Sequence, residues 1–246
     1  MKQNSYQGQH VLLTGGNGHF GQELANAFLH AGAVITSVDR GPSERSDAGI
    51  HPVVLDVTDE TAVQQLISSW TDEELPRVLV NNAGIFPFVD ILDASAELCH
   101  RILAVNVLGP LALTQALAKR WIAAGISGAV VNVSSASAEV ARTNGAIYGP
   151  SKAALEQMTR ILALKLAPHG IRVNAVRPGL AQGQNSPELP PEHLKSLSAA
   201  IPLGRMIAPG ELSNAVLFLA GDAASFTTGQ ILSVDGGGGI NRRAQI

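Results

Sequence analysis

The sequence is poor in cysteine, with a single one, Cys99, among 246 residues. An internal disulfide is therefore impossible, and a reducing compartment fits this composition. Cys99 falls in a helical pattern with no His or Asp arranged around it, so we interpret it as a packing residue. From this we expect a cytoplasmic protein with no metal site.

Charge is also scarce. Only 15% of the residues are charged, the formal net charge is −3, and no basic block occurs. This balance argues against a surface for nucleic acid or for anionic membranes. The segment Met1–Gln9 is polar and lacks an apolar signal core. We find no apolar stretch near the roughly 20 residues that span a bilayer, so we expect no membrane partner.

Hydrophobic residues make up 46% of the chain, in short β-branched runs that alternate with longer helical patterns. Several runs are apolar throughout, as strands covered on both faces are. The order predicts an α/β fold: a Rossmann-type doubly wound parallel sheet of about seven strands, with helices on both faces, in a single domain over residues 1–246. The predicted strands are Val11–Thr14, Val34–Asp39, Val53–Asp56, Val78–Asn81, Ala129–Ser134, Arg172–Val176 and Ile231–Val234. The predicted helices are Gly21–Ala31, Glu60–Trp70, Ala94–Ala123, Pro150–Ala167 and Ala208–Ala220.

Two connections are irregular. Arg40–Pro52 is short and broken by glycine and proline, which predicts a loop crossover where such sheets usually carry a helix. Gln182–Arg205 is rich in proline, and we expect a mobile substrate loop there with a short helix at Pro190–Ala200.

A glycine-rich turn, Gly15–Gly21, follows the first strand and leads into a helix. Glycines at such a junction let the backbone approach a pyrophosphate, while the helix N-terminus supplies free N–H groups and a favourable dipole. The position at the first strand–helix junction favours a dinucleotide site over a simple tight turn. The candidate cofactor-binding residues here are Gly15, Asn17, Gly18, His19, Phe20 and Gly21.

Asp39 ends the second predicted strand, eighteen residues beyond Gly21. A carboxylate there can accept hydrogen bonds from the ribose hydroxyls and would repel a 2′-phosphate, which favours NAD over NADP. The adjacent Arg40 could instead pair with such a phosphate, so NADP remains the less favoured alternative.

Tyr148 and Lys152 are four residues apart, with Ser135 thirteen residues before the tyrosine. A phenol has a pKa of about 10 and is a weak acid or base at neutral pH. Lysine one helical turn away faces the same side, and its charge is expected to lower the tyrosine pKa. A hydroxyl from a separate segment can hold a substrate oxygen beside the phenol. These are the parts of a proton-transfer site for an alcohol or a ketone.

Pro150 places the start of this helix near Tyr148, because proline is tolerated only in the first turn. The phenol would then lie at the rim of a cleft, with Lys152 one turn inside.

Taken in order along the chain, these segments resemble the short-chain dehydrogenase/reductase family over essentially the whole length. The matching segments are the glycine turn, Asp56-Val57, Asn81-Asn82-Ala83-Gly84, Asn106, Ser135, Tyr148 with Lys152, Pro178-Gly179 and Val234-Asp235-Gly236-Gly237.

The resemblance implies a role for each matching residue in the cofactor groove. Asp56 would hydrogen-bond the adenine and Val57 would line its pocket. The backbone of Asn82, Ala83 and Gly84 would border the riboses. The nicotinamide face would be covered by Pro178, Gly179 and Leu180.

It also implies the catalytic set. Asn106 would kink a long helix and hold a water that relays protons to Lys152, and Ser135 would orient the substrate oxygen. Tyr148 would be the acid and base, and Lys152 would also hydrogen-bond the nicotinamide ribose. A homotetramer formed through helices Ala94–Ala123 and Pro150–Ala167 is implied as well.

Three departures from the family pattern stand out. His19 occupies a position where the single-domain branch has glycine, and we expect Gly18 to make the close approach, with His19 packed nearby or donating to a phosphate oxygen. Gly183 replaces a usual threonine that anchors the carboxamide. The shortened Arg40–Pro52 crossover opens the adenine side of the groove.

The predicted activity is hydride transfer between NAD(H) and an alcohol or ketone, with tyrosine as acid and base. The alternative is a non-catalytic NAD(P)-binding sensor or scaffold on the same fold. An epimerase or dehydratase is disfavoured by chain length. The substrate is not identified; the predicted pocket walls, beside the Gln182–Arg205 loop, are Phe86, Pro87, Phe88, Val140 and Ala141.

Overall fold

A single parallel sheet organises the protein in the computed structural model, which describes residues 6–45, 47–181 and 191–241. Within those residues the sheet has seven strands in the order β3-β2-β1-β4-β5-β6-β7. This confirms the predicted doubly wound fold. The strands are β1 (His10–Thr14), β2 (Val34–Asp39), β3 (Ile50–Val54), β4 (Val78–Asn81), β5 (Ala129–Val133), β6 (Arg172–Pro178) and β7 (Ile231–Val234).

Helices connect most of the strands and cover both faces of the sheet. The described helices are α1 (His19–His30), α2 (Glu60–Ser68), α3 (Ala96–Leu103), α4 (Gly109–Ala124), α5 (Tyr148–Leu166), α6 (Pro191–Ala199) and α7 (Glu211–Ala220). Neighbouring residues of β1 point to opposite faces: Val11 and Leu13 pack with α1 and α7, while Leu12 packs with α2, α4 and α5. Both cores are apolar, as expected for strands covered on both sides.

The third strand begins three residues earlier than predicted, at Ile50 rather than Val53, and it includes Pro52. It pairs only with β2 and is therefore an edge strand. Proline is tolerated at an edge because its missing N–H can face solvent. The connection before it carries no helix among its described residues, which agrees with the predicted loop crossover.

The predicted helix Ala94–Ala123 is interrupted. The chain forms α3, then a π-helical turn over Ala104–Leu108, then α4. A π turn inserts an extra residue into the helical ladder and is common at functional sites. Asn106 lies in this turn, which agrees with the predicted kink.

The composite helix Ala96–Ala124 is long and apolar enough to cross a membrane by length and composition. The expectation that no such stretch exists was therefore wrong. Half of its most apolar window is buried inside the fold. Leu113, Leu117 and Trp121 are fully buried against the sheet, so core packing accounts for this apolar character.

The order of the strands determines where a ligand can bind. The chain winds outward from β1 in one direction to β2 and β3, and in the other from β4 to β7. At this change of direction, between β1 and β4, the loops after the carboxyl ends of the strands separate and leave a crevice. Most of the predicted site residues follow the strands β1 to β6 and so lie along this edge.

Candidate active site

The turn after β1 has little room for side chains. Gly15 has φ +70°, and a Cβ built on it would lie 2.8 Å from the Ala83 Cα. A Cβ on Gly21 would lie 1.9 Å from the Gly15 carbonyl oxygen. Glycine is therefore required at both positions by close backbone approach. The turn leaves the first N–H groups of α1 available to an anion.

Side chains from the ends of two strands hold this turn. The Asn82 amide donates to the carbonyl oxygens of Thr14 and Gly15, both at 3.0 Å. The Thr14 hydroxyl accepts from the backbone N–H groups of Asn82 (3.1 Å) and Ala83 (3.0 Å). The glycine turn and the end of β4 therefore form one rigid unit.

His19 is exposed as the first residue of α1, and its ring centroid lies 5.3 Å from that of Phe20. Gly18 is the N-cap residue, and a Cβ there would approach the Gly15 carbonyl to 3.3 Å. Gly18 therefore lies close to the Gly15 carbonyl, and His19 lies at the surface beside it.

The Asp39 carboxylate faces the glycine turn. Its Oδ2 accepts from the backbone N–H of Asn17 at 3.0 Å, and the Asn17 side chain donates to the carbonyl oxygens of Gly41 and Pro42. Arg40 is exposed. The structure thus places a partly buried carboxylate at the end of β2 and a solvent-exposed guanidinium next to it.

Asp56 and Val57 follow β3. Asp56 Oδ1 accepts from the backbone N–H (2.9 Å) and the hydroxyl (2.7 Å) of Thr58, and these hydrogen bonds lower the pKa of the Asp56 carboxyl. Val57 is buried against the start of α4, where a Cβ on Gly109 would approach its side chain to 2.9 Å. Asp56 is therefore an exposed anion, whereas Val57 is a buried apolar side chain.

Asn106 is fully buried beside the end of β4. Its Oδ1 accepts from the Ile85 N–H at 2.9 Å, and its Nδ2 donates to the Ile85 carbonyl and to Ser151 Oγ at 3.1 and 3.0 Å. A Cβ on Gly84 would lie 3.3 Å from Asn106 Oδ1 and 3.4 Å from Lys152 Nζ. The structure therefore brings Asn106, Gly84 and Lys152 together, with little space for a side chain at Gly84.

The phenol and the ammonium lie close together at the start of α5. Helix α5 begins at Tyr148, as Pro150 indicated, with Tyr148 partly buried and Lys152 only 4% exposed. Lys152 Nζ lies 5.8 Å from the Tyr148 ring centroid and donates to the Val133 carbonyl at 2.8 Å.

The electrostatics of this pair differ from the expectation. Burial raises the pKa of the Tyr148 phenol, while the Ser135 hydroxyl and the Arg142 charge lower it by less. Burial also lowers the pKa of Lys152 to about 8. The expected lowering of the tyrosine pKa by Lys152 is therefore absent, because loss of hydration dominates both groups.

Ser135 lies directly after β5, next to the phenol. Its hydroxyl accepts from the Ser137 N–H at 3.2 Å and caps a short 3₁₀ turn over Ala136–Ala138. Ser134, by contrast, points away and donates to Glu156. Ser135, which the spacing of thirteen residues before the tyrosine selected, is therefore the serine that faces Tyr148.

A network of polar side chains, which the sequence analysis did not predict, joins α5 to β5 and β6. Glu156 is buried and accepts two hydrogen bonds from Arg177, at 2.9 and 2.7 Å, and one from Ser134 at 2.7 Å. Arg177 also pairs with Glu139. Glu156 is one turn beyond Lys152 on the same face of α5, and this spacing was the available signal.

The end of β6 packs closely on the segment after β7. The Gly179 N–H donates to the Val234 carbonyl at 2.9 Å, and a Cβ on Gly179 would lie 2.7 Å from the Asp235 Cα. Pro178 is buried, and the Leu180 carbonyl accepts from the Ile207 N–H at 3.1 Å. Residues 182–190, which include Gly183 and the first part of the predicted substrate loop, lie outside the described residues.

Of the predicted pocket walls, Phe86 contacts Tyr148. Its ring centroid lies 4.8 Å from that of Tyr148 and 5.8 Å from that of Phe88. Phe86 and Phe88 are 50% and 66% exposed. Ala141 lines a cavity that also includes Tyr148.

The chain as a whole matches known proteins. The family profile described as Enoyl-(Acyl carrier protein) reductase matches residues 18–238. Human L-xylulose reductase is 35% identical over 238 residues, covering 94% of this chain and 96% of that protein.

Two solved structures share the fold. A short-chain dehydrogenase from Leptospira borgpetersenii with bound NAD+ has a TM-score of 0.87 and 27% identity, covering 97% of this chain and 96% of that chain. The Pseudomonas aeruginosa RhlG/NADP active-site complex has a TM-score of 0.88 and 27% identity, covering 97% and 100%. With its ordered motifs and Tyr148–Lys152–Ser135 geometry, this chain belongs to the short-chain dehydrogenase/reductase family and is an oxidoreductase.

Proposed function

We propose that this protein transfers a hydride between NAD(H) and an alcohol or ketone, with Tyr148 as the acid and base. The observation that carries the proposal is the meeting of the Tyr148 phenol, the Ser135 hydroxyl and the buried Lys152 at the carboxyl end of β5. Each comes from a different turn or segment, and together they can bind and protonate one substrate oxygen.

The residues of the crevice fit a dinucleotide. Gly15, Gly18 and Gly21 leave room for a pyrophosphate at the N-terminus of α1. Asp39 would accept from the adenosine ribose, with Asp56 and Val57 around the adenine. The remaining contacts along the groove would come from Asn17, His19, Phe20, Arg40, Asn82, Ala83, Gly84, Pro178, Gly179 and Leu180. When bound, the cofactor supplies a hydride acceptor or donor.

In ketone reduction, the Tyr148 phenol donates its proton to the carbonyl oxygen while Ser135 donates a second hydrogen bond. These two donors stabilise the negative charge that develops on the oxygen. In alcohol oxidation the phenolate removes the hydroxyl proton. Burial raises the pKa of Tyr148, so the phenol remains protonated at neutral pH, which favours its role as the acid.

Lys152 and Asn106 complete the proton path. With a pKa of about 8, Lys152 is mostly cationic at neutral pH and can hydrogen-bond a ribose hydroxyl and supply protons. Asn106 uses its amide to hold Ile85 and Ser151, and Oδ1 has a second lone pair for a water. That water would link solvent to Lys152.

The preference for NAD over NADP rests on Asp39. The related solved structures contain NAD+ in one case and NADP in another, so the family does not decide the cofactor. The Asp39 carboxylate is directed by the Asn17 N–H toward the turn, whereas Arg40 is exposed. A carboxylate in this position repels a 2′-phosphate.

We further propose that residues 1–246 act as one cofactor-binding and catalytic domain, with a substrate loop around 182–205, in a cytoplasmic homotetramer. Exposed apolar side chains on α5 support the assembly: Ile161 is 59% and Leu164 is 82% exposed. They lie one turn apart on the helix surface, as an interface would require.

Tyr148→Phe removes the ionisable group that we propose exchanges a proton with the substrate oxygen. We expect kcat to fall by about 10² to 10⁴-fold, the usual contribution of general acid–base catalysis. The cofactor Kd should change little. Steady-state kinetics and NADH fluorescence measure both.

The control is Tyr6→Phe, because Tyr6 is the other tyrosine of the chain and its hydroxyl bonds the Leu217 carbonyl far from the crevice. This variant should keep kcat while losing some stability. Retention of most activity by Tyr148→Phe would refute the mechanism and favour a sensor.

Asp39→Asn keeps an acceptor for the Asn17 N–H but removes the negative charge. We expect the ratio of kcat/KM with NADPH to that with NADH to rise by about tenfold or more, since like charges in contact cost several kcal/mol. Glu44→Gln, at an exposed carboxylate in the same crossover, should leave the ratio unchanged. An unchanged ratio in Asp39→Asn would show that Asp39 does not select the cofactor.

Glu156→Gln replaces with a neutral amide the carboxylate that pairs with Arg177 and accepts the hydrogen bond of Ser134. Ser134 directly precedes Ser135. We expect kcat to fall by roughly tenfold or more, because small displacements of a catalytic group are costly. The Kd for NADH should stay the same, since Glu156 touches no part of the predicted cofactor groove. Ser233→Ala removes only a long contact of Arg177, at 3.5 Å, and should keep kcat. If Glu156→Gln and Ser233→Ala have the same kcat, Glu156 contributes only to stability.

Leu164→Glu places a charge on the exposed apolar face of α5. If the tetramer forms through this face, the sedimentation coefficient should drop to that of a smaller species, because burying an unpaired charge is unfavourable. Phe226→Glu, at a fully exposed residue outside α4 and α5, should not change the assembly. A monomeric native protein would overturn the proposed tetramer.

A further inference from the structure

A cavity of about 410 Å³ opens beside Tyr148, on the side formed by the segment that leads into α5. Its walls are mostly small or apolar and include Ile91, Ala141, Gly145, Ala146 and Ala153. This is a usual size for a small-molecule site. A substrate whose oxygen meets Tyr148 would extend its remaining atoms into this space.

Three ionisable side chains line the cavity: Glu139, Arg142 and Tyr148. The Glu139 carboxylate is paired with Arg177, which the buried Glu156 holds in place. Among residues 6–45, 47–181 and 191–241, no hydrogen-bond or ion-pair partner occurs for the exposed Arg142 side chain. Within the described part of the cavity, the Arg142 guanidinium therefore has no direct ion-pair partner, whereas Glu139 does.

The backbone around Arg142 is held in place. The Ile91 N–H donates to the Thr143 carbonyl at 3.0 Å, and the N–H groups of Gly145 and Ala146 donate to the Val89 carbonyl at 2.7 and 2.8 Å. Ala146 has φ +49°, a strained value for a residue with a side chain, and these bonds stabilise it. The segment thus keeps Arg142 and Tyr148 at the same cavity.

The Arg142 charge also reaches the reacting group, since it lowers the pKa of the Tyr148 phenol. Because Arg142 and Tyr148 line the same cavity, a substrate whose oxygen meets the phenol can place another group near the guanidinium. Its planar fork of N–H donors matches a carboxylate, which it can bind with two parallel hydrogen bonds.

We propose that Arg142 is a specificity-determining residue that binds a carboxylate on the substrate, so that this enzyme acts on an oxo acid or the corresponding hydroxy acid. A single guanidinium without an ion-pair partner matches one carboxylate, whereas it would neutralise only half of a phosphate dianion. The proposal rests on the proposed role of Tyr148. It distinguishes this chain from relatives named for uncharged sugars, such as L-xylulose reductase.

The test compares oxo acids with their primary amides, which have nearly the same shape but no charge. The probes are pyruvate, acetoacetate and levulinate, each with its amide, reduced by the purified full-length enzyme with NADH. For the oxo acid that fits best, we expect kcat/KM to exceed that of its amide by about 10 to 100-fold, as a charge-assisted bidentate contact provides.

Arg142→Gln should abolish this preference, so that kcat/KM for the acid and for its amide agree within about twofold. Reduction is the informative direction: removing Arg142 raises the pKa of Tyr148, so the phenol stays protonated and active as an acid. Arg142→Lys, which keeps the charge without the fork, should restore part of the preference. Arg160→Gln, at an exposed cation three turns along α5, should behave as the native enzyme.

Binding provides a readout independent of turnover. Calorimetry with the NAD-loaded Tyr148→Phe variant should detect the oxo acid, and adding Arg142→Gln should abolish that signal. Absence of acid binding, or equal kcat/KM for acid and amide, would overturn the proposal even if neutral ketones react. Activity in Tyr148→Phe would instead overturn the proposed mechanism and leave the charge preference to be read from binding.

Discussion

The docking of α5 on the end of β5 is the contact on which the site depends. Lys152 donates to the Val133 carbonyl, Glu156 accepts from Ser134, and the Thr159 hydroxyl accepts from Asn132. Successive turns of the helix thus bind consecutive residues of the strand end. A buried ammonium or carboxylate is costly unless it has partners, so this register is strongly favoured over any shifted one. Tyr148 reaches Ser135 because the next three turns are held in this way.

The cofactor side of the crevice has a different origin. Its shape follows from backbone packing rather than charge: Gly15 lies against Ala83, and Gly21 lies against the Gly15 carbonyl. Thr14 and Asn82 then hold the turn through hydrogen bonds at 3.0 to 3.1 Å. A turn assembled from the chain's own contacts needs little reorganisation to receive an anion, which lowers the entropic cost of binding.

The β6 residue Arg177 determines which charged side chains near Tyr148 have an ion-pair partner. It pairs with the buried Glu156 and with the exposed Glu139, so both carboxylates have a partner. The positive charge of Arg142 is then left facing the cavity with the phenol. The ion pair that contacts the Ser134 segment therefore also affects which charges face the cavity beside Tyr148.

The sequence alone determined the parallel α/β fold, the bounds of β2 and β4, the glycine turn and the serine, tyrosine and lysine of the site. These follow from local periodicity, from spacing and from motif order. Only the tertiary structure decided the start of β3, the π turn at Asn106, the rise of the Tyr148 pKa and the Glu156–Arg177 pair. Each depends on which segments become neighbours: β3 tolerates Pro52 because it is an edge, and burial outweighs the lysine charge at Tyr148. Distant residues such as Glu156 and Arg177 carry no shared pattern in the chain, so their contact arises only when α5 packs on the sheet.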